Sequence, residues 1–187
     1  MKFNLLTMKL IFLLNYLTGS RVHEITSLTT KSVDFDLNVL KFKVKDTLRR
    51  QFTTKVLPIH PYLRQELITF LDMRASVLAE INQQNFKYLF IREKEGILRP
   101  IKDSEVNEFY KDMSAEIEIP YFTSHPIRYQ SQSDMTGEGL EFTFTNCVLS
   151  HYPGLDEIFN PDSEISFEVF SKEYIAVIDK MLEFCHE

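Results

Sequence analysis

From Met1 to Leu17, Leu6, Leu10, Leu13, Leu14 and Leu17 recur at helical spacing, which predicts a buried amphipathic helix. Asn4, Thr7, Lys9 and Asn15 interrupt the apolar run, which is also too short to span a bilayer, so a core helix fits better than a signal peptide. Thr18-Gly19-Ser20 ends this helix, and Ser20 is placed to cap a second one running to about Leu28. After Thr29 and Thr30 the period changes to two. Val33 and Phe35 form one run, Asp36-Leu37-Asn38 a turn, and Val39 to Lys45 a second run. In that second run Leu40, Phe42 and Val44 share one face and Lys41, Lys43 and Lys45 the other. A third run, Phe52 to Ile59, completes a predicted antiparallel sheet of three strands.

Helical spacing returns from Tyr62 to about Ile81 through Leu63, Leu67, Phe70, Leu71, Val77 and Leu78. Tyr88-Leu89-Phe90-Ile91 is a short apolar run closed by Glu95-Gly96. Ser104 is expected to cap a helix carrying Val106, Phe109, Tyr110 and Met113. Ser124 is expected to cap another that begins with His125-Pro126, where proline is tolerated in the first turn. Leu140 to Leu149 and Phe167 to Phe184 read as further helices. With neither repeat nor linker, the prediction is one α+β domain over residues 1–187, mostly helical, with a small sheet near its N-terminal third.

Composition agrees with a folded chain. Of 187 residues, 44% are hydrophobic and 26% charged, with 5 Gly and 7 Pro, which excludes collagen-like and strongly disordered classes. Cys147 and Cys185 are too few for a disulfide framework, and with no targeting segment the expected location is the reducing cytoplasm. The net charge of −6 argues against a nucleic-acid partner until its distribution is considered. Residues 1–64 carry +7, residues 65–153 carry −6 and residues 154–187 carry −7, so a local basic surface sits on an acidic body.

Four points then stand out as candidate chemistry. Arg21 lies at the opening of a capped helix, where a guanidinium and backbone N–H groups can hold an anion together. Lys45 ends the lysine face of its strand, and six basic residues against one acidic fall between Lys41 and Lys55. His125 and Arg128 lie three apart at a helix start, on one face. His151 follows a later apolar helix. Arginines, lysine and histidines without a carboxylate cluster suit a phosphodiester better than a carbonyl or a sugar. Cys147 and His151 have ligand spacing, but no second pair accompanies them, so no metal site is expected.

Order and spacing add a resemblance. Thr18-Gly19-Ser20-Arg21-Val22-His23-Glu24-Ile25, followed by Leu28 and Val33-Asp34-Phe35, resembles the first catalytic box of the tyrosine recombinase (phage integrase) family. Lys45, 24 residues after Arg21, falls in the hairpin where that family keeps its catalytic lysine, and Lys55-Val56-Leu57-Pro58-Ile59 resembles the returning strand. Tyr88-Leu89-Phe90 and Gly96 resemble the next hairpin. Ser124-His125-Pro126-Ile127-Arg128 resembles the second box, and Val148-Leu149-Ser150-His151 the Leu-Gly-His box, 23 residues after Arg128. The resemblance covers about residues 5–160.

It implies metal-free, cofactor-free cutting and rejoining of double-stranded DNA through a 3′-phosphotyrosyl ester, on a tetramer with no membrane attachment. Arg21 and Arg128 would clamp the phosphate oxygens, Lys45 would protonate the leaving 5′-oxygen, His125 would assist at the tyrosine and His151 would hydrogen-bond the phosphate. Glu24 would orient its helix. Lys41, Lys43, Arg49, Arg50 and Lys55 would supply contacts to flanking DNA. Three departures accompany the match. The position nine residues past the third box is Asn160, so Tyr174, 23 residues past His151, becomes the candidate nucleophile. Ser150 replaces the glycine of the third box. By the resemblance the chain is expected to begin at the catalytic domain, without the family's N-terminal DNA-clamping domain, with residues 161–187 as an atypical acidic segment. A module that keeps the fold but cannot cleave, and a type IB topoisomerase-like relaxing enzyme, are the alternatives.

Overall fold

Helix α1 (Lys2–Thr18) is apolar around most of its circumference, and such a helix needs other elements to cover it. The computed structural model describes residues 2–46, 51–83, 86–94, 97–120, 122–150 and 166–183. In it α1 lies against the short α2 (Val22–Thr26), α3 (Pro61–Glu80), α4 (Asp103–Glu116) and α5 (Ser124–Gly137). Leu10, Ile11, Leu14 and Leu17 are fully withdrawn from water. Three buried polar residues of the helix make local hydrogen bonds. Thr7 and Thr18 donate to the Phe3 and Leu14 carbonyls one turn back, at 2.9 and 2.6 Å, and the Asn15 amide donates to the Ser20 carbonyl at 2.8 Å.

The expected sheet is present, with β1 (Val33–Asp34), β2 (Val39–Asp46) and β3 (Gln51–Pro58) antiparallel in sequence order. Leu40, Phe42 and Val44 face the core while Lys43 and Lys45 face solvent. A second, two-stranded hairpin, β4 (Ile91–Lys94) and β5 (Ile97–Pro100), sets Arg92 directly opposite Arg99. Glu105 on α4 resolves that repulsion by accepting from both guanidinium groups. These bonds hold the Glu105 carboxyl down at about 2 and fasten α4 to the hairpin. The segment before β4 is held by buried Arg74 of α3, which donates to the Phe86, Tyr88 and Leu89 carbonyls at 2.7, 2.6 and 3.0 Å.

Three predicted caps move by one or two residues. Arg21, Lys102 and Thr123 occupy the N-cap positions in place of Ser20, Ser104 and Ser124. In α2 and α4 a glutamate three residues inside the cap decides the matter. Glu24 accepts the Arg21 backbone N–H at 3.0 Å and Glu105 that of Lys102 at 3.1 Å, which supplies negative charge to the helix start. Ser124 is instead the first helical residue, its N–H and hydroxyl both donating to Asn107. Gly139, at φ +97°, ends α5, and α6 (Phe142–Val148) begins two residues after Leu140. The last helix, α7 (Phe167–Glu183), buries Phe170, Tyr174, Val177, Ile178 and Met181 beside β3 and α5. Among the described residues no helix is long and apolar enough to cross a membrane. The architecture is α+β: mostly helical, with one small three-stranded sheet.

Candidate functional site

The site is assembled where the ends of α1 and α6 meet. The chain leaves α1 through Gly19, whose φ of +53° is left-handed, and a Cβ there would come within 2.7 Å of the Leu149 side chain. Glycine thus permits both the turn and the close approach. The Gly19 carbonyl and the Leu149 carbonyl each accept a hydrogen bond from the Arg128 guanidinium. Arg128 is 6% exposed. Burial, reinforced by the positive charge of Arg21, lowers its pKa to about 10, against the pull of Glu24 and Tyr129; it stays charged at neutral pH.

A second cation occupies the same junction. Strand register sets Lys55 directly opposite Phe42 and Leu57 opposite Leu40, so Lys55 belongs to the inward face of the sheet. Its side chain is 0% exposed, its ammonium lying 4.7 Å from the Phe42 ring centroid. Nζ donates to Ser20 Oγ at 2.7 Å and to the Val148 carbonyl at 2.9 Å. Lys55 and Arg128 therefore cap adjacent carbonyls at the C-terminal end of α6, where a helix has unsatisfied acceptors and negative potential.

Glu24 balances these charges. Wholly buried, it stands 3.6 Å from Lys55 Nζ and accepts from Arg21 Nη1 at 3.1 Å. Burial alone would raise the Glu24 carboxyl, but Lys55, the Arg21 backbone N–H and the two guanidinium groups outweigh it and hold the carboxyl below its ordinary value. Burial likewise pushes Lys55 down to about 8, partly offset by Glu24. Arg21 remains 40% exposed. The resulting cluster offers positive charge, with one arginine reaching solvent and a buried base of fixed, mutually compensated ions.

The structure thus brings Arg21, Arg128 and Lys55 together, while Lys41, Lys43, Lys45 and His125 stand outside this junction. Lys45 and Lys43 are exposed on the outer face of β2, and half-exposed Lys41 is paired with Asp34 at 2.8 Å. Lys41 and Lys43, with Ser27, Thr29, Ser32 and Thr54, border an open cleft of about 390 Å³. His125 is exposed in the first turn of α5. Arg49, Arg50 and His151 lie outside the described residues, as do Cys185, Tyr152 and Asn160. No group of three or more His, Cys, Asp or Glu that could hold a metal occurs among the described residues.

Two of the expected residues are enclosed by the fold. The Lys55 ammonium is sealed in the junction described above. Alternation along β3 carries the signal, since Lys55 shares its face with buried Leu57, but the neighbouring basic residues mask it. Tyr174 is fully buried and donates to the Leu17 carbonyl at 2.7 Å, and burial pushes its hydroxyl pKa up, the opposite of activation. Tyr174→Phe should therefore cost about 1 kcal/mol, the ordinary net value of one hydrogen bond, read by urea unfolding, with no effect on any DNA chemistry.

Ser150 stands where the third box has glycine, in a backbone conformation that favours glycine. Its φ is +57°, a left-handed conformation that costs a non-glycine residue roughly 1 kcal/mol. Among the described residues its buried hydroxyl has no hydrogen-bond partner. Ser150→Gly should raise stability by about 0.5–1 kcal/mol in the same unfolding assay; a loss of stability would contradict this account.

Comparison with known proteins bears on this junction. The integrase from mycobacterium phage Brujita has the same fold at a TM-score of 0.63 and 14% identity, over 92% of this chain and 52% of that one. XerA recombinase gives 0.63 and 16%, over 97% and 57%. The Tn1549 transposon integrase, solved with circular intermediate DNA, gives 0.54 and 16%, over 89% and 56%. The chain thus spans a little over half the length of these solved structures. No curated protein matches the sequence. A sequence model of the phage integrase family, however, matches residues 3–152. That stretch contains Gly19, Arg21, Glu24, Lys55, Arg128 and the α6 carbonyls they hold, and by it the chain belongs to the phage integrase family.

Proposed function

We propose that this chain breaks and rejoins double-stranded DNA at specific sites through a phosphotyrosyl ester, without metal or nucleotide. The observation that carries the reading is the convergence of Arg21 and Arg128, 107 positions apart in the chain, upon one ion-paired junction. Two guanidinium groups at one place match the paired non-bridging oxygens of a phosphodiester and the charge that grows on them in the transition state. In this reading Lys45 gives a proton to the leaving 5′-oxygen, His125 assists proton transfer at the attacking tyrosine and His151 hydrogen-bonds the phosphate. The ester conserves the energy of the broken bond until a free 5′-hydroxyl reverses the step. Strand exchange then takes four copies on two DNA sites, in the cytoplasm.

The test uses a pool of nicked duplexes with a randomised core. Covalent protein–DNA product, recovered after denaturing extraction, is expected from the native chain and not from Arg21→Ala. Recovery no greater than that control would overturn the proposal.

Lys41, Lys43, Arg49 and Arg50 contact flanking phosphates in this reading, alongside the hydroxyl-lined cleft. Lys43→Gln is expected to weaken binding to unrelated duplexes equally and to reduce the slope of log K against log salt by about one. Filter binding across a salt series measures both.

The buried, hydrogen-bonded hydroxyl of Tyr174 favours a second reading, a DNA-binding module of the same fold that does not cleave. Salt-dependent DNA retention without any covalent product would select it.

A further inference from the structure

Ser20 has the residue type of a helix cap, yet Arg21 is the cap of α2, and Ser20 is fully buried. Every polar atom of Ser20 is bonded. Its N–H donates to Thr18 Oγ1 at 3.3 Å, and its carbonyl accepts from the Asn15 amide at 2.8 Å. Its Oγ accepts from Lys55 Nζ at 2.7 Å and lies 2.7 Å from Thr18 Oγ1. Thr18 spends its one hydroxyl proton on the Leu14 carbonyl, and an ammonium only donates. The proton between the two hydroxyls is therefore that of Ser20, and one directed chain runs from Lys55 through Ser20 and Thr18 into α1. Asn15 Oδ1 is buried without a hydrogen-bond partner among the described residues, so the polar contribution of that side chain is the bond it gives Ser20.

The flanking peptides are held as well. Arg128 donates to the Gly19 carbonyl, the Arg21 N–H donates to Glu24 Oε2 at 3.0 Å, and the Arg21 carbonyl accepts in the first turn of α2. None of these peptides tilts without breaking a hydrogen bond, and an unpaired buried group is costly. The Arg21 side chain, by contrast, is 40% exposed and reaches Glu24 at 3.1 Å. A long, half-solvated side chain takes its direction from the backbone it springs from, because ordering it through its own contacts costs rotamer entropy. Ser20 is where β3 and α1 both grip that backbone.

We propose that Ser20 is a positioning residue for Arg21: by joining Lys55, Thr18 and Asn15 it fixes the peptide from which the phosphate-binding guanidinium projects. The inference rests on the phosphodiester reading above. Ser20 acts through Arg21, whose forked donors serve the transition state when their origin is set to within about 0.5 Å.

Two measurements test this. In the nicked-duplex assay at saturating protein, well below the unfolding midpoint, Ser20→Ala is expected to lower the single-turnover rate by about 10²-fold with DNA retention unchanged. Asn15→Leu, which keeps the bulk and removes the amide, is expected to act in the same direction. An undiminished rate in both variants, or equal losses of rate and retention, would overturn the proposal. Native-state hydrogen exchange needs no DNA chemistry. Each variant should speed exchange of the Arg21 backbone N–H by at least about 10-fold more than that of the α3 and α5 amides. Uniform acceleration along the chain, or an Arg21 N–H that keeps its native rate, would overturn the proposal. Absence of adduct from the native chain overturns the breakage reading alone, and the exchange rates still decide whether Ser20 sets the Arg21 peptide.

Discussion

Arg21→Lys is expected to lower the yield of covalent protein–DNA product by about 10²–10³-fold, the usual effect of removing one donor from a charge-stabilising site. Lysine keeps the charge but loses the planar fork that meets two phosphate oxygens at once. Stability should hardly change. Arg21 is 40% exposed, so its ion pair with Glu24 is worth no more than about 1 kcal/mol, and an unfolding midpoint within about 4 °C of native follows. Arg128→Lys should behave differently. That guanidinium ties the Gly19 carbonyl to the Leu149 carbonyl, and two buried acceptors lose their partner when it goes. A loss of about 2–3 kcal/mol is expected together with the loss of DNA breakage. Calorimetry and the nicked-duplex assay, run on both variants, separate the roles. Equal destabilisation by the two substitutions would show that the division of labour between them is wrong.

Lys55→Met should cost about 3–5 kcal/mol, because it leaves the buried carboxylate of Glu24 without its nearest ammonium. Ser20 and the Val148 carbonyl lose their donor as well. A cost below about 1 kcal/mol in urea unfolding would contradict the picture of a mutually dependent buried cluster. The pH dependence has a definite sign. Folding lowers the Lys55 pKa from 10.5 to about 8, with burial as the main cause. Between those values the unfolded chain holds a proton that the folded chain has released, so stability rises with pH through the window. The rise amounts to at most about 3 kcal/mol. Lys55→Met lacks it, so the native advantage over the variant should widen from pH 8 to 10.5. A constant difference would show that Lys55 does not titrate as a buried group.

Most of the fold was legible before any coordinates, and for a local reason. The period of α1, the alternation of β2 and the apolar stripes of α3 and α7 each depend on neighbours within a few residues, so the chain text carries them. The caps were read less well. Ser20, Ser104 and Ser124 are good cap residues by type, yet Glu24 and Glu105 reach back to the preceding N–H and move the helix starts of α2 and α4. The two arginines of the site were legible through their spacing and their resemblance to known boxes.

The two enclosed residues share one cause. Lys55 stands among basic neighbours, and its burial follows from pairing with Phe42 across the sheet, a relation no short window contains. Tyr174 fits an apolar stripe, and only the arrival of α7 beside α1 gives its hydroxyl the Leu17 carbonyl. Which segments become helix or strand is settled by repeating local patterns of side-chain size and polarity. Which cations face a phosphate, and which are spent holding carbonyls, is settled by long-range register and by the meeting of helix ends, where burial makes each unpaired charge too costly to leave unanswered.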